Sequence, residues 1–505
     1  MQSDNNKRIA KNTLMLYMRT ILIMFVSLYT SRIILSTLGE TDFGIYNIVG
    51  GFIMLLSFVN SAMTTSTQRF LNYSIGKHNI EEEKKVFSMS LMTHVVIAVI
   101  IFLVLESLGL WFFNSKINIP ENRINAAQWV FQFSTLSCCA QIIRVPYHAS
   151  IIAHEKMSFY AYVSILEVLL KLGVVFSLLI VNSDKLISYS IFTFILIVVI
   201  NLCYIFYSKK NFIACNYKFF WDKILFKKLI SFSGWSMFGS AANVAANQGV
   251  NVVLNIFFGV TVNAAMGIAN QVQSAIYSFV SNFQTAFNPQ IVKSYAANDR
   301  AYFLSLVFRA SKFSYYLLFI LAFPVILCCQ SILDIWLVNV PQYSVHFIQL
   351  FLVFLLIEAM SAPLWISVQA TGEIKNYQLL MTSLSAINLP LVYVFFKSGY
   401  LPETALIIRI LISFISHIIR LLYLKKHINF PALLYIKDVM LKCLLVSLVI
   451  IPIPLLIHFK FASLLGDIIT IVTSVSISLF AFYFIGLQKV EKQLVIQNIY
   501  KIIKK

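Results

Sequence analysis

Eight charged residues lie inside long apolar stretches of this 505-residue sequence: Arg19, Arg32, Arg144, Glu167, Lys171, Glu358, Arg409 and Arg420. A charge in hydrocarbon is costly, so each needs a partner, an aqueous cavity or a route to the membrane surface. Arg420 is near one end of its stretch and is placed to snorkel, as is Glu106. Arg19 and Arg32 share one stretch; on a helix they stand about 20 Å apart along the axis and roughly 140° apart in azimuth. Arg144 is two residues from Pro146. Guanidinium stays charged and forks onto anionic oxygens, so Arg19, Arg32 and Arg144 are candidates to line a path for an anion; snorkelling and backbone capping are the competing readings. Glu167 and Lys171 have the i, i+4 spacing of a pair on one helix. With Glu358 and Arg409 they are coupling or structural charges.

A second polar set consists of amides. Asn243, Asn247, Asn251 and Asn255 recur every fourth residue, and Asn270, Ser274, Ser278 and Asn282 repeat that interval in the next stretch. Such spacing puts the groups on one slowly turning helix face, which lipid cannot satisfy. The face meets either water and a substrate rich in hydroxyls, which amides match as donors and acceptors, or a neighbouring helix.

The elements that must carry these residues are membrane helices. The chain is 59% hydrophobic and only 12% charged, about half the charge of a soluble domain. Apolar runs near 13–38, 43–67, 86–113, 124–150, 157–182, 186–207, 229–258, 262–289, 303–333, 344–370, 377–397, 402–424, 438–459 and 463–486 predict about fourteen spans, each near the ~20 residues a bilayer requires. The first run is too long for a secretory leader and lacks a small-residue cleavage site. The net charge of +19 follows topology: about 29 of the Lys and Arg residues fall in even-numbered connections and the two tails, about 5 in odd-numbered ones. Both termini are therefore expected in the cytoplasm, and nucleic-acid binding is not expected. The tail from Lys489 sets Val490, Leu494, Ile499 and Ile503 against five lysines and reads as a membrane-surface helix or a solvated tail.

A repeat relates the fourth and tenth spans. Pro146, Ala153 and Tyr160 each recur 217 positions later as Pro363, Ala370 and Tyr377, with a weaker echo of Gly39 in Gly259. Six spans separate the copies, which preserves orientation and predicts parallel repeats. The expected organisation is an N-lobe at 1–208, a basic connection at 209–228, a C-lobe at 229–424, two further spans at 425–487 and a basic tail at 488–505. Pro146 and Pro363 are either paired hinges or prolines of the kind membrane helices tolerate. No phosphate-binding loop, metal-ligand spacing or catalytic triad spacing appears. The seven cysteines read as small apolar groups. Neither enzyme activity nor a cofactor or metal is expected.

Ser31-Arg32-Ile33, Leu38-Gly39, Phe43-Gly44-Ile45-Tyr46, Gln68-Arg69, Ala153-His154-Glu155-Lys156 and Phe287-Asn288-Pro289 give the chain a specific likeness. It resembles the Wzx-type oligosaccharide flippases of bacterial polysaccharide synthesis, in the superfamily that includes the MATE exporters. The resemblance implies an all-α, MATE-like fold of two six-helix lobes plus two C-terminal helices in the bacterial inner membrane. It implies transfer of an undecaprenyl-diphosphate-linked oligosaccharide between leaflets, with polysaccharide assembly proteins as partners. Arg19, Arg32 and Arg144 match, by type and depth, the cavity cations that engage the diphosphate. A cation-coupled drug exporter of the same fold is the main alternative; the first and seventh spans carry no acid, which counts against it. A membrane-embedded polymerase or glycosyltransferase fits less well, because the outward connections are short.

Overall fold

The computed structural model describes residues 2–54, 57–111, 113, 119–337, 339–461, 463–487 and 491–492. The regular elements among them are all helical. In chain order they are α1 (Gln2–Met54), α2 (Ser57–Gly76), α3 (Ile80–Val104), α4 (Ile124–Ala153), α5 (Met157–Ser177), α6 (Lys185–Asn211), α7 (Lys223–Phe258), α8 (Val260–Ala296) and α9 (Arg300–Leu327). A short α10 (Cys329–Trp336) precedes α11 (Ser344–Thr371), α12 (Lys375–Lys397), α13 (Thr404–Ile428), α14 (Ala432–Tyr435), α15 (Lys442–Ile450), α16 (Pro452–Lys460) and α17 (Leu464–Ala481).

Nine helical stretches among the described residues are long and apolar enough to cross a membrane. They match the predicted third, fifth, sixth and ninth to fourteenth runs. The other five runs fall in helices as well, in α1, α2, α4, α7 and α8. The chain is a multi-pass, all-α integral membrane protein.

Helix ends follow local chemistry. The Asn79 side chain accepts from the Glu82 amide at the start of α3, where three glutamates meet the positive end of the helix. Asp184 accepts from the amides of Leu186 and Ile187 at the start of α6. Asp184 also holds Arg123, whose guanidinium reaches Asp42 at 2.6 Å. The hydrogen bond from Arg123 to Asp184 holds the Asp184 carboxyl below the usual carboxylate range. At Gly39 α1 breaks with φ 78°, a left-handed conformation that a side chain would strain.

The chain divides into two compact units. Unit 1 joins 1–241 to 285–299 and 369–378; unit 2 comprises 242–284, 300–368 and 379–505. Unit 1 thus takes in the end of α8 and the α11–α12 junction, both placed in the C-lobe by the sequence reading. The reason is the set of polar contacts described below. In unit 1, Ile45, Val49, Ala98, Val130, Phe131 and Ile142 are among the buried residues of one apolar core. In unit 2, Leu254, Ala269, Leu318, Phe347, Leu352 and Val392 belong to a larger one.

The repeat seen in the sequence is also a repeat of backbone geometry. Gly39 and Gly259 share φ 78°, and Glu155 and Gly372, again 217 positions apart, both have positive φ. Pro146 and Pro363 lie inside unbroken α4 and α11. In each, the proline carbonyl accepts the hydroxyl of the serine four residues on, Ser150 or Ser367, at 2.9 Å.

Of the basic tail, Val490, Leu494, Ile499 and Ile503 lie outside the described residues. Glu491 is buried and pairs with the equally buried Lys312 of α9 at 2.8 Å. The start of the tail is therefore pinned to unit 2 rather than free in solvent.

Candidate functional site

Five helices of unit 1 bring polar side chains to one cavity of about 240 Å³. Arg19 comes from α1, Asn60 and Thr64 from α2, Gln141, Arg144 and His148 from α4, Tyr160, Ser164 and Glu167 from α5, and Tyr204 from α6. The helical period explains the grouping: 141, 144, 145 and 148 fall on one face of α4, as do 160, 164 and 167 on α5.

The two arginines are held by aromatic rings. The Arg19 guanidinium stands 4.5 Å from the Tyr160 ring centroid and that of Arg144 5.2 Å from Tyr204. A cation over an aromatic face keeps its charge and spends no hydrogen bond on a carboxylate. Arg19 Nε is shut off from solvent and lacks a hydrogen-bond partner, as does Asn60 Oδ1. Glu167 lines the same cavity, yet among the described residues it forms an ion pair with neither arginine. Two close cations with donors unspent are suited to a doubly charged anion.

The sequence-predicted residues are distributed as follows. Arg19, Arg144 and Glu167 meet in this cavity. The Arg32 side chain lies outside the described residues. Lys171 is exposed and is not among the residues that line the cavity, and among the described residues no ion pair joins it to Glu167. In unit 2, Glu358 accepts from Ser413 at 2.6 Å, and Arg409 lies over Phe354 and Phe351 at 4.3 and 5.3 Å. Asn247 donates to Asn243 and Asn251 to Gln248 along α7 itself. Asn255 and Ser274 are exposed and Asn270 is half-buried, so the amide face in unit 2 stays open to further hydrogen bonds.

Sequence reasoning missed the aromatic supports Tyr160 and Tyr204, and a polar clamp within unit 1. Glu155, whose side chain is fully buried, receives Lys293 Nζ at 2.6 Å and Gln290 Nε2 at 2.7 Å on each oxygen. Its carbonyl accepts from Asn12 at 3.3 Å. In the corresponding arrangement of the other repeat, Arg69 of α2 donates to the carbonyls of Gln369 and Ala370 at 3.0 and 2.9 Å. A Cβ at Gly372 would stand 2.5 Å from an Arg69 nitrogen. The end of the second or eighth span thus grips the junction after the tenth or fourth. The available signal was the pairing of Gln68-Arg69 and Ala153–Lys156 in the motif set.

Known structures share this architecture. An outward-facing multidrug resistance MATE family transporter of the MOP superfamily has a TM-score of 0.73 at 13% identity, covering 84% of this chain and 96% of that one. A MATE transporter in complex with MaD3S has 0.72 at 12% identity, with 84% and 96% covered. A MOP superfamily transporter from Pyrococcus furiosus has 0.70 at 12% identity, with 83% and 96% covered. The fold is that of a MATE-like membrane transporter. Residues 9–295 match the family described as polysaccharide biosynthesis protein; the chain belongs to that family, as its resemblance to Wzx-type flippases implied. Among curated protein sequences none matches.

Proposed function

We propose that the protein carries an undecaprenyl-diphosphate-linked oligosaccharide across the bacterial inner membrane by alternating access. One observation carries the reading: Arg19 and Arg144 share a polar cavity, stacked on tyrosines and unpaired with the nearby carboxylate. Each guanidinium offers a fork of donors to diphosphate oxygens, and the amides of α7 and α8 suit sugar hydroxyls. The topology proposed with it has fourteen crossings and both termini in the cytoplasm, in keeping with the distribution of Lys and Arg.

The clamp at Arg69 and Glu155 supports a two-state mechanism. These groups lie at even-numbered connections, on the cytoplasmic side of the proposed topology. Their contacts hold that side in one arrangement, and the other state requires them to part. Glu167, in the same cavity, is the candidate coupling charge, and a cation-coupled drug exporter of the same fold is the alternative reading.

Depletion in the host tests this reading. Complete lipid-linked repeat units should accumulate on the inner leaflet. Incomplete units would point to a transferase, and unchanged glycan with drug hypersensitivity to a drug exporter.

A further inference from the structure

The ends of α9, α16 and α17 meet in unit 2 around three side chains with different ligand atoms. Cys328 is buried at the start of α10, His458 lies in the last turn of α16, and Asp467 lies in the first turn of α17. The thiol sulfur, an imidazole nitrogen and a carboxylate oxygen all fall within 4.8 Å of one another.

Three details separate this cluster from an ordinary ion pair. His458 Nδ1 stands 3.3 Å from Asp467 Oδ1, yet it is shut off from solvent and makes no hydrogen bond. Two ligand atoms at about 2.1 Å from a tetrahedral zinc are roughly 3.4 Å apart. The separation is therefore that of two atoms aimed at a shared cation. Asp467 Oδ2 accepts from Ser331 Oγ, which turns Oδ1 toward the histidine as outer partners do at metal sites. The connection that presents Asp467 is also tightly built. Ser463 Oγ caps the Gly466 amide at 3.1 Å, and a Cβ at Gly466 would fall 1.9 Å from the Phe461 carbonyl oxygen.

We infer that Cys328, His458 and Asp467 form a binding site for one divalent cation of the zinc class. Thiolate and imidazole select zinc-like ions over magnesium or calcium. Three protein ligands leave the fourth tetrahedral position to water. The bound ion would tie the α16–α17 hairpin to the α9–α10 junction, at odd-numbered connections that face outward in the proposed topology. The residues are 130 and 9 positions apart, a spacing that resembles no local metal motif, and the sequence reading accordingly expected none. The inference is independent of the substrate carried.

The test uses full-length protein in detergent, stripped with a chelator and titrated with Zn²⁺ and separately with Co²⁺. One equivalent of zinc should bind and raise the melting temperature, and cobalt should show a thiolate-to-metal charge-transfer band. Cys328→Ser should abolish that band, and Ser331→Ala should weaken zinc binding by roughly ten- to a hundred-fold. The inference is overturned by a cobalt spectrum without the sulfur band, by no stoichiometric binding, or by a Cys328→Ser protein that binds zinc as the wild type does. Should that variant fail to fold, the wild-type cobalt spectrum decides alone.

Discussion

Arg19 and Arg144 illustrate how a cation is kept available in a membrane protein. Stacking on Tyr160 and Tyr204 steadies each charge without spending its donors on a carboxylate. A charge-assisted hydrogen bond contributes about 1.5–3 kcal/mol, so Arg19→Ala or Arg144→Ala should lower glycan export roughly ten- to a hundred-fold while leaving protein abundance unchanged. Arg19→Lys should recover only part of the activity, because an ammonium keeps the charge and loses the fork. Whole-cell export assays with immunoblotting check both. Both arginines were legible as candidates because a charge in an apolar run demands an account. Their aromatic supports were not, because Tyr160 reads only as a repeat position and Tyr204 as part of an apolar run until the fold brings α5 and α6 to the cavity. The predicted Glu167–Lys171 pair shows the converse limit. Spacing permits a contact, but tertiary surroundings decide whether the two side chains turn toward each other.

Among the elements, the junctions carry the most consequence. His154, just after α4, stacks on Phe212 at 4.1 Å and bonds the Ser150 carbonyl at 2.9 Å. Burial, opposed by that bond and assisted by Lys293 and Lys156, pushes its pKa down to about 4. A histidine kept neutral by the fold stabilises it fully above the unfolded value of about 6.5 and loses that contribution as pH falls toward 4. Thermal melts between pH 7 and 4 should therefore decline less steeply in His154→Phe, which keeps the stack and removes the titration. The clamp gives a second prediction. Lys293→Ala removes a 2.6 Å ion-pair partner of the buried Glu155 carboxylate and should loosen the clamp. In a background free of native cysteines, Thr64→Cys in the cavity should then react faster with a membrane-impermeant thiol reagent from the cytoplasmic side. An unchanged rate would mean that the clamp does not gate. The Lys312–Glu491 pair gives a third. Glu491→Ala should lower the melting temperature, and Lys312→Met combined with Glu491→Leu should restore most of it, because the isolated buried charge is gone. Apolar periodicity made the helices themselves readable. The clamp was hidden because Arg69 meets Gln369 and Ala370 across three hundred positions of sequence, a distance no local pattern reports.

For the whole molecule, the all-helical fold and the repeat were legible in composition and in the 217-residue interval, and the matched geometry of Pro146–Ser150 and Pro363–Ser367 gives that interval a physical form. The compact units were harder to foresee. Hydropathy divides the chain at its basic connection, whereas unit 1 gathers 285–299 and 369–378 through polar contacts that hydropathy does not register. The central claim is that the arginine cavity moves a lipid-linked diphosphate. Its most direct test is reconstitution in liposomes bearing an undecaprenyl-diphosphate oligosaccharide, with access of the glycan to an external, membrane-impermeant enzyme as the readout. Wild-type protein should move the glycan between leaflets, and the Arg19→Ala, Arg144→Ala double variant should do so at least about tenfold more slowly. Equal rates for the two proteins, or no movement by the wild type with or without an imposed proton gradient, would contradict the account.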